Sequence, residues 1–149
     1  MRRRDMLVGV AGLALAPLAR APFACAQERA VPRPPSIEGR EPVDAMALTR
    51  EERRHVPVLV LPRAVRAGRP FDFVAQIGVE PHVMTEAHYI EWIELYLDAE
   101  RVFSAELGAR VAYPIVRVPL ALVETAHLTV RSQCNLHGIW RTRRPVPVT

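Results

Sequence analysis

The stretch SQCNLHGIW, residues 132–140, places Cys134 three positions before His137. A cysteine and a histidine at this spacing can ligate a metal ion, form a nucleophile and base, or simply lie in a strand. A nucleophilic cysteine needs a base in contact with the thiol and a third group that orients the base, and the sequence indicates no such group. A thiolate with imidazoles suits iron, copper or zinc rather than magnesium or calcium. The stretch is therefore a candidate metal site, and an ordinary position in a strand stays open as the alternative.

The histidines are candidate partners of Cys134, and all five lie after residue 50. Four of them stand beside predicted turns or strand ends, namely His55, His82, His88 and His137. His127 opens a predicted strand, and we assign it an ordinary surface or hydrogen-bonded role.

Short β-rich runs separated by proline and glycine must position these side chains. They read VPVLVLP, FDFVAQIGV, RVFSAEL, YPIVRVP and HLTVRSQC. Runs of this length and spacing predict an antiparallel β-sandwich. In the second run, residues 71, 73, 75, 77 and 79 share one predicted apolar face. In the last run Cys134 has the parity of Leu128, so a strand with Leu128 in the core also turns Cys134 inward.

Two other segments have weaker patterns. HYIEWIELYLDAE, residues 88–100, fits a helix by its apolar spacing and a strand by its aromatic and β-branched content, and periodicity does not decide between them. The tail RTRRPVPVT, residues 141–149, is expected to be a solvated basic end.

The amino-terminal residues predict export. Residues 1–26 combine an arginine cluster, a short apolar run and a small-x-small site ending at Ala26, which is the pattern of a cleaved signal peptide. Arg3 and Arg4 resemble a twin-arginine signal, so the expected location is the periplasm. The apolar run is shorter than the roughly 20 residues of a membrane span, and no stable span is predicted. Residues 27–50 are a proline-rich linker or arm, with a helical turn near residues 45–54.

Cleavage at this site changes the charge and the cysteine count. The leader holds four arginines and one acid, so 16 of 20 basic residues and 15 of 16 acids remain in the mature chain. A nearly neutral chain gives no case for binding nucleic acid. Cys25 leaves with the leader, so Cys134 has no partner within the chain for a disulfide. A lone thiol of this kind is expected to be buried, bound to another group such as a metal, or paired with a cysteine of a second chain. A homo-oligomer is therefore one of the possible states of the protein.

Three segments together resemble the iron-site motifs of the superoxide reductase family, the desulfoferrodoxins and neelaredoxins. They are RRHVPVLVLP, PHVMTEAHYIEWIELYL and CNLHGIW, and the resemblance runs from about residue 52 to residue 140. It implies an immunoglobulin-like antiparallel β-sandwich over residues 51–149. Because the chain lacks the four cysteines of a rubredoxin-like domain, it resembles the single-iron members.

The resemblance also implies a cofactor and a ligand set. In the family a mononuclear iron is bound by four histidines in a plane and one axial cysteine. The matching residues are His55, His82, His88 and His137, with Cys134 axial, whereas His127 matches no motif. Five ligands leave a sixth position open, and a site charge of about +1 with Fe²⁺ attracts a small anion.

The implied activity is one-electron reduction of superoxide to hydrogen peroxide, with electrons from an unidentified donor protein. Asn135, Leu136 and Trp140 are expected to surround the ligands. Backbone N–H groups of Leu136 and His137 are expected to hydrogen-bond the sulfur.

One position departs from the family pattern. Many members read Glu-Lys-His before the first ligand, whereas this chain reads Arg53-Arg54-His55. Arg54 can attract superoxide in place of the lysine, but a pKa above ~12 makes it a poor proton donor. Glu52 is a candidate sixth ligand, displaced by one residue from the family's glutamate. The alternative hypothesis is an exported iron-binding or electron-transfer module with little superoxide reductase activity.

Overall fold

The computed structural model describes residues 37–149. The predicted signal peptide and the first ten residues of the predicted arm lie outside this range. The described chain forms α1 (Arg50–His55), β1 (Pro57–Val60), β2 (Phe71–Ile77), β3 (Ile90–Leu97), β4 (Glu100–Glu106), β5 (Ile115–Leu120), β6 (Ala126–Cys134) and β7 (Gly138–Val146). Within residues 37–149, no helix has the length and apolar character needed to cross a membrane.

The strands form two antiparallel sheets. One sheet has the order β1-β2-β5 and the other has the order β4-β3-β6-β7. The chain passes between the sheets after β2, after β4 and again after β5, as in immunoglobulin-like sandwiches. The predicted fold class is confirmed.

The core lies between the two sheets. In β2, Phe73, Ala75 and Ile77 are fully buried, which matches most of the predicted apolar face. Residue 79 lies beyond the end of β2 and is exposed, because the chain turns at Gly78. In β6, residues 128, 130, 132 and 134 are all buried, so Cys134 turns inward as its parity predicted.

The ambiguous segment after His88 is a strand. β3 lies between β4 and β6, and it pairs with both along its length. A register shift between Leu95 and Tyr96 in the β3–β4 pairing interrupts the strict alternation of buried and exposed residues. Such an irregularity weakens the period-two pattern from which a strand is read.

The segment predicted as an arm is bound to the larger sheet over part of its length. Arg40 N donates to Ile139 O at 2.9 Å, and Arg141 N donates to Arg40 O at 2.9 Å. These bonds place Arg40 beside Trp140 in a short parallel bridge at the edge of β7.

The tail differs from its prediction. β7 continues to Val146, which is fully buried, and Val148 forms a bridge with Val65. Arg143 and Arg144 are exposed as expected, and so are Pro145, Pro147 and Thr149. Residues 141–146 belong to β7, the edge strand of the larger sheet. The expectation of a solvated basic end therefore holds for Arg143 and Arg144 and is wrong for Val146.

Candidate metal centre

His55 is the last residue of α1, and the helix fixes its ring. Thr49 caps the helix: its hydroxyl accepts from Glu52 N, while the Glu52 side chain accepts from Thr49 N. At the other end His55 Nδ1 donates to Glu51 O at 2.7 Å. Because Nδ1 carries the hydrogen in this bond, Nε2 of His55 is the ring atom that is available to bind a metal. Carbonyl partners commonly orient metal-binding histidines in this way.

A turn at Gly78 brings His82 close to the ring of His55. Gly78 has φ of 86°, and a Cβ at this position would lie 2.6 Å from Arg54 O, so glycine is required. His82 N then donates to Ile77 O at 3.2 Å. The Nδ1 atom of His82 donates to Val83 O at 2.5 Å, which again leaves Nε2 free.

His88 lies in a tight turn just before β3. Thr85 and His88 exchange two backbone hydrogen bonds of 2.9 and 3.0 Å. The Thr85 hydroxyl accepts a further bond from His88 N at 3.2 Å. These bonds fix the backbone of His88 two residues before Ile90, the first residue of β3.

Cys134 and His137 come from the hairpin that joins β6 to β7. Cys134 ends β6 and pairs with Gly138, which adopts φ of 74° at the start of β7. Between them, Asn135 attaches this hairpin to the backbone around His88. Its Oδ1 accepts from Tyr89 N at 3.0 Å, and its Nδ2 donates to Ala87 O at 3.1 Å.

The five side chains converge. His82 Nε2 and His55 Nε2 are 3.1 Å apart, and His137 Nδ1 and His88 Nε2 are also 3.1 Å apart. Cys134 Sγ lies 3.2 Å from His88 Nε2 and 3.3 Å from His137 Nδ1. The donor atoms of His55, His88, Cys134 and His137 all lie within 4.8 Å of one another.

The four imidazole rings follow one another around a closed circuit. The neighbouring ring centroids, in the order 55, 82, 88 and 137, are 4.7, 4.5, 4.8 and 4.6 Å apart. Across the circuit, the rings of His55 and His88 are 6.0 Å apart. The four imidazole rings therefore lie next to one another in one group, with the Cys134 sulfur close to His88 and His137. His82 lies outside the set of four mutually close ligand atoms and approaches it through its Nε2 contact with His55.

These separations fit a single metal ion. Bonds of about 2.1 Å to nitrogen and about 2.3 Å to sulfur, set at right angles, put neighbouring donors roughly 3.0 to 3.1 Å apart. The observed contacts of 3.1 to 3.3 Å are close to that spacing. A thiolate with imidazoles is a donor set that suits iron, zinc or copper.

The site favours neutral imidazoles. Burial lowers the pKa of His82 to about 4, with the neighbouring histidines adding to the effect. Burial also lowers the pKa of His55 and of His88. Neutral imidazole is the form that binds a metal, so these three rings are prepared for coordination near pH 7.

The three residues expected around the ligands have different surroundings. Trp140 is buried and stacks on His55, with ring centroids 5.4 Å apart and planes 21° apart. The Leu136 side chain is exposed. In residues 37–149 the polar atoms near Cys134 Sγ belong to His88, His137 and Asn135, and the hydrogen bonds expected from backbone N–H groups of residues 136 and 137 are not among them.

Arg54 immediately precedes His55 and is partly buried. Its positive charge contributes to the lowered pKa of His88, after the effects of burial and of His137. Within residues 37–149 Arg54 forms no ion pair, whereas its neighbour Arg53 pairs with Glu80 at 3.0 Å. Arg54 is thus, within the described part of the chain, a cation without an ion pair beside the candidate ligand His55.

Glu52 has a structural role in this arrangement. Its carboxylate accepts from Thr49 N at 2.7 Å and from Val43 N at 3.0 Å. These bonds lower the pKa of Glu52. Both oxygens are occupied at the beginning of α1, and the sixth-ligand role of Glu52 stays a prediction.

His127 lies in β6, away from the cluster of donor atoms. Its side chain is half exposed, and its backbone N donates to Asp98 Oδ1 at 3.0 Å. Arg40, by contrast, contacts residues of the site. Sequence reasoning missed it because it stands in a proline-rich segment before the recognisable motifs.

Comparison with known proteins agrees with the geometry. The sequence profile of the family described as Desulfoferrodoxin matches residues 47–143. The superoxide reductase of Pyrococcus abyssi is 32% identical over 97 residues, which are 58% of this chain and 82% of that protein. The desulfoferrodoxin of Desulfarculus baarsii is 33% identical over 88 residues, which cover 59% of this chain and 60% of that one.

Solved structures show the same likeness. A superoxide reductase (neelaredoxin) from Ignicoccus hospitalis is 32% identical, with a TM-score of 0.60 over 64% of this chain and 81% of that chain. A reduced neelaredoxin variant from Archaeoglobus fulgidus is 29% identical, with a TM-score of 0.55 over 64% of this chain and 92% of that chain.

Proposed function

This chain belongs to the desulfoferrodoxin family, whose cofactor is iron, and from that premise we propose that it reduces superoxide by one electron to hydrogen peroxide. The observation that carries the proposal is the convergence of four imidazole nitrogens and one sulfur with contacts of 3.1 to 3.3 Å. The proposed ligands are His55, His82, His88, His137 and Cys134.

Iron supplies the redox chemistry when bound, because it exchanges one electron between Fe²⁺ and Fe³⁺. The chain would supply neutral imidazoles and one thiolate as ligands, which together leave the positive charge of the iron only partly neutralised. Lowered pKa values keep His55, His82 and His88 neutral. Cys134 contributes one negative charge as a thiolate, so the site retains a net positive charge of about +1 with Fe²⁺. A positive site favours an anionic substrate over neutral oxygen or hydrogen peroxide.

Arg54 adds to this attraction. A guanidinium next to His55, with no acidic partner among residues 37–149, raises the positive potential near the site. A guanidinium does not release a proton near neutral pH, so Arg54 guides superoxide but does not protonate the product. The two protons of each turnover come from another source, and the electron comes from a donor protein.

The test is superoxide consumption by the reduced, iron-loaded protein, with hydrogen peroxide and oxygen measured together. The proposal predicts one hydrogen peroxide per superoxide and no oxygen evolved, because a reductase does not oxidise superoxide. The variant His82→Ala should lose the reaction, and His127→Ala, which removes a histidine outside the cluster, should keep it. Oxygen evolution in step with hydrogen peroxide would instead indicate dismutation.

A second candidate function is an iron-binding or electron-transfer module with little reductase activity. Two observations favour it: Arg54 replaces the lysine of the family pattern, and Glu52 is engaged at the cap of α1. A fully iron-loaded protein that exchanges electrons with a small redox mediator but does not consume superoxide would identify this module.

We further propose that the protein acts in the periplasm, on the strength of the leader-like residues 1–26. Fractionation of cells that express the full chain tests this, with mass spectrometry of the new amino terminus. Processing after Ala26 and recovery from the periplasm are expected. Replacement of Arg3 and Arg4 by lysine should retain the protein in the cytoplasm if the twin-arginine route is used, and an unprocessed cytoplasmic wild type would contradict export.

A further inference from the structure

Arg40 lies before residues 47–143, the part of the chain that the family profile matches. Its backbone is nevertheless fixed at the edge of the larger sheet by two hydrogen bonds of 2.9 Å, to Ile139 and Arg141 on β7. Close packing supports this position, because a Cβ on the preceding Gly39 would lie 3.1 Å from the Arg141 side chain. The backbone of Arg40 is therefore held in a fixed position beside β7, from which its side chain extends.

The guanidinium of Arg40 contacts three residues, one on α1, one on β7 and one in the hairpin between β6 and β7. It donates to the backbone oxygen of His137, in the hairpin between β6 and β7. It also donates to Glu51 Oε1 on α1 at 3.2 Å. Its carbon lies 4.2 Å from the centroid of the Trp140 ring, in a cation–π contact.

Each of these contacts leads to a metal ligand. His137 is itself a ligand. The backbone oxygen of Glu51 accepts from His55 Nδ1 at 2.7 Å. The rings of Trp140 and His55 stack, with their centroids 5.4 Å apart. Trp140 therefore lies in contact with both the His55 ring and the Arg40 guanidinium. One side chain thus contacts the supports of two ligands that come from different elements.

These contacts are placed to set geometry more than stability. Arg40 and Glu51 are each about half exposed, and ion pairs at such positions add little to the free energy of folding. The same contacts fix the orientation of an imidazole and of a ligand backbone, to which metal affinity is sensitive. The planar fork of arginine can reach a carboxylate and a carbonyl together, which the single ammonium group of lysine does less well.

We propose that Arg40 is a positioning residue of the metal centre, holding His55 through Glu51 and Trp140, and His137 through its backbone oxygen. This proposal rests on the proposed metal site. Its consequence is that the segment before the family domain contributes to iron retention, although it contains no ligand.

The experiment compares iron release from wild type, Arg40→Ala and Arg40→Lys. Fe²⁺ transfer to a coloured chelator gives the affinity. The visible absorption band that ferric iron bound to the Cys134 sulfur would produce, and that Cys134→Ser would lack, reports the geometry. Arg40→Ala should bind iron about tenfold more weakly, within the range seen for lost partners of metal ligands, with a shifted or broadened band. Arg40→Lys keeps the charge but loses the planar guanidinium, and its iron affinity should lie between those of wild type and Arg40→Ala. Arg143→Ala removes an exposed arginine from the same edge strand and should match wild type.

The outcomes separate this proposal from the proposed function. If wild type binds no iron, or shows no cysteine-dependent band, the metal site itself fails. If wild type behaves as expected and Arg40→Ala has the same affinity and band, only the Arg40 proposal is overturned. If Arg40→Lys equals wild type, charge alone is sufficient and the positioning role is wrong. If Arg40→Ala does not fold, Arg40→Lys and Glu51→Gln decide together, because the first loses the planar guanidinium and the second weakens the Arg40 contact while keeping the carbonyl that holds His55. Unchanged affinity and an unchanged band in both variants would overturn the proposal.

Discussion

His88 Nε2 and Cys134 Sγ lie 3.2 Å apart, although 46 residues separate them in the chain. The pairing of β3 with β6 accounts for this closeness, because Ile90 pairs directly with Cys134 at the end of the two strands. The Asn135 side chain also joins the residue after Cys134 to the backbone on either side of His88, through its hydrogen bonds with Tyr89 and Ala87. The spacing of these two donors is therefore a property of strand register and of one amide side chain.

Asn135→Ala should loosen this spacing. Loss of two hydrogen bonds costs about 1 to 3 kcal/mol of unfolding free energy, and iron affinity should fall roughly tenfold, as for other supports of metal ligands. Chelator competition and urea unfolding measure the two effects. Leu136→Ala, at the exposed neighbouring position, is the matched control and should change neither. Wild-type iron affinity in Asn135→Ala would show that register alone fixes the site.

Arg54→Ala should slow the reaction with superoxide. Removal of one unpaired cation near the site is expected to lower the second-order rate constant by about tenfold and to weaken its dependence on ionic strength. Arg54→Lys should restore both. Arg53→Ala removes the same charge one residue earlier, where Glu80 already neutralises it, and should have a smaller effect. Stopped-flow or pulse-radiolysis kinetics measure these rates, and equal effects of the two alanine variants would contradict a specific role for Arg54.

Glu52→Gln separates two roles of one carboxylate. The structure assigns Glu52 to the cap of α1, so the thermal midpoint of the metal-free protein should fall because a charged acceptor of two N–H groups is lost. The visible spectrum of the oxidised, iron-loaded variant should be unchanged. The opposite pattern, with an unchanged midpoint and a shifted ferric spectrum, would favour the sixth-ligand hypothesis from the sequence.

The metal-free protein should become less stable as the pH falls from about 6.5 to 4. Burial lowers the pKa of His82 from 6.5 to about 4 in the folded state. Between these values the unfolded chain binds a proton at this residue and the folded chain does not, so protons favour unfolding. The contribution is complete above pH 6.5 and is lost on acidification. Urea midpoints at several pH values measure it; His82→Gln should reduce the slope, and an unchanged slope would contradict the assignment.

The sequence predicted the two-sheet fold and the inward direction of Cys134 because both depend on local period-two patterns. Leu128, Val130, Ser132 and Cys134 are all buried in β6, as their shared parity indicated. The segment at residues 90–97 was undecided because β3 lies inside a sheet and has an irregular register with β4. The buried positions of β3, residues 90, 93, 95 and 96, do not alternate strictly, and the register shift contributes to this loss of the period-two pattern.

The candidate ligands came from motifs that resemble a family, whereas their supports depend on contacts that no motif encodes. The carbonyl partners of His55 and His82 are backbone atoms, which any residue would supply. Arg40 contacts Trp140 across 100 residues of sequence in a segment whose composition indicated only an arm. Spacing along the chain carries no information about such long-range contacts.

The most direct test of the metal centre is the visible absorption of the iron-loaded protein before and after oxidation, measured beside Cys134→Ser. The predicted result is a strong band at long wavelength that appears on oxidation in wild type and is absent from the serine variant, which places the Cys134 thiolate on iron. Failure of wild type to bind iron, or the same spectrum in both proteins, would contradict the account and leave Cys134 as an ordinary buried thiol.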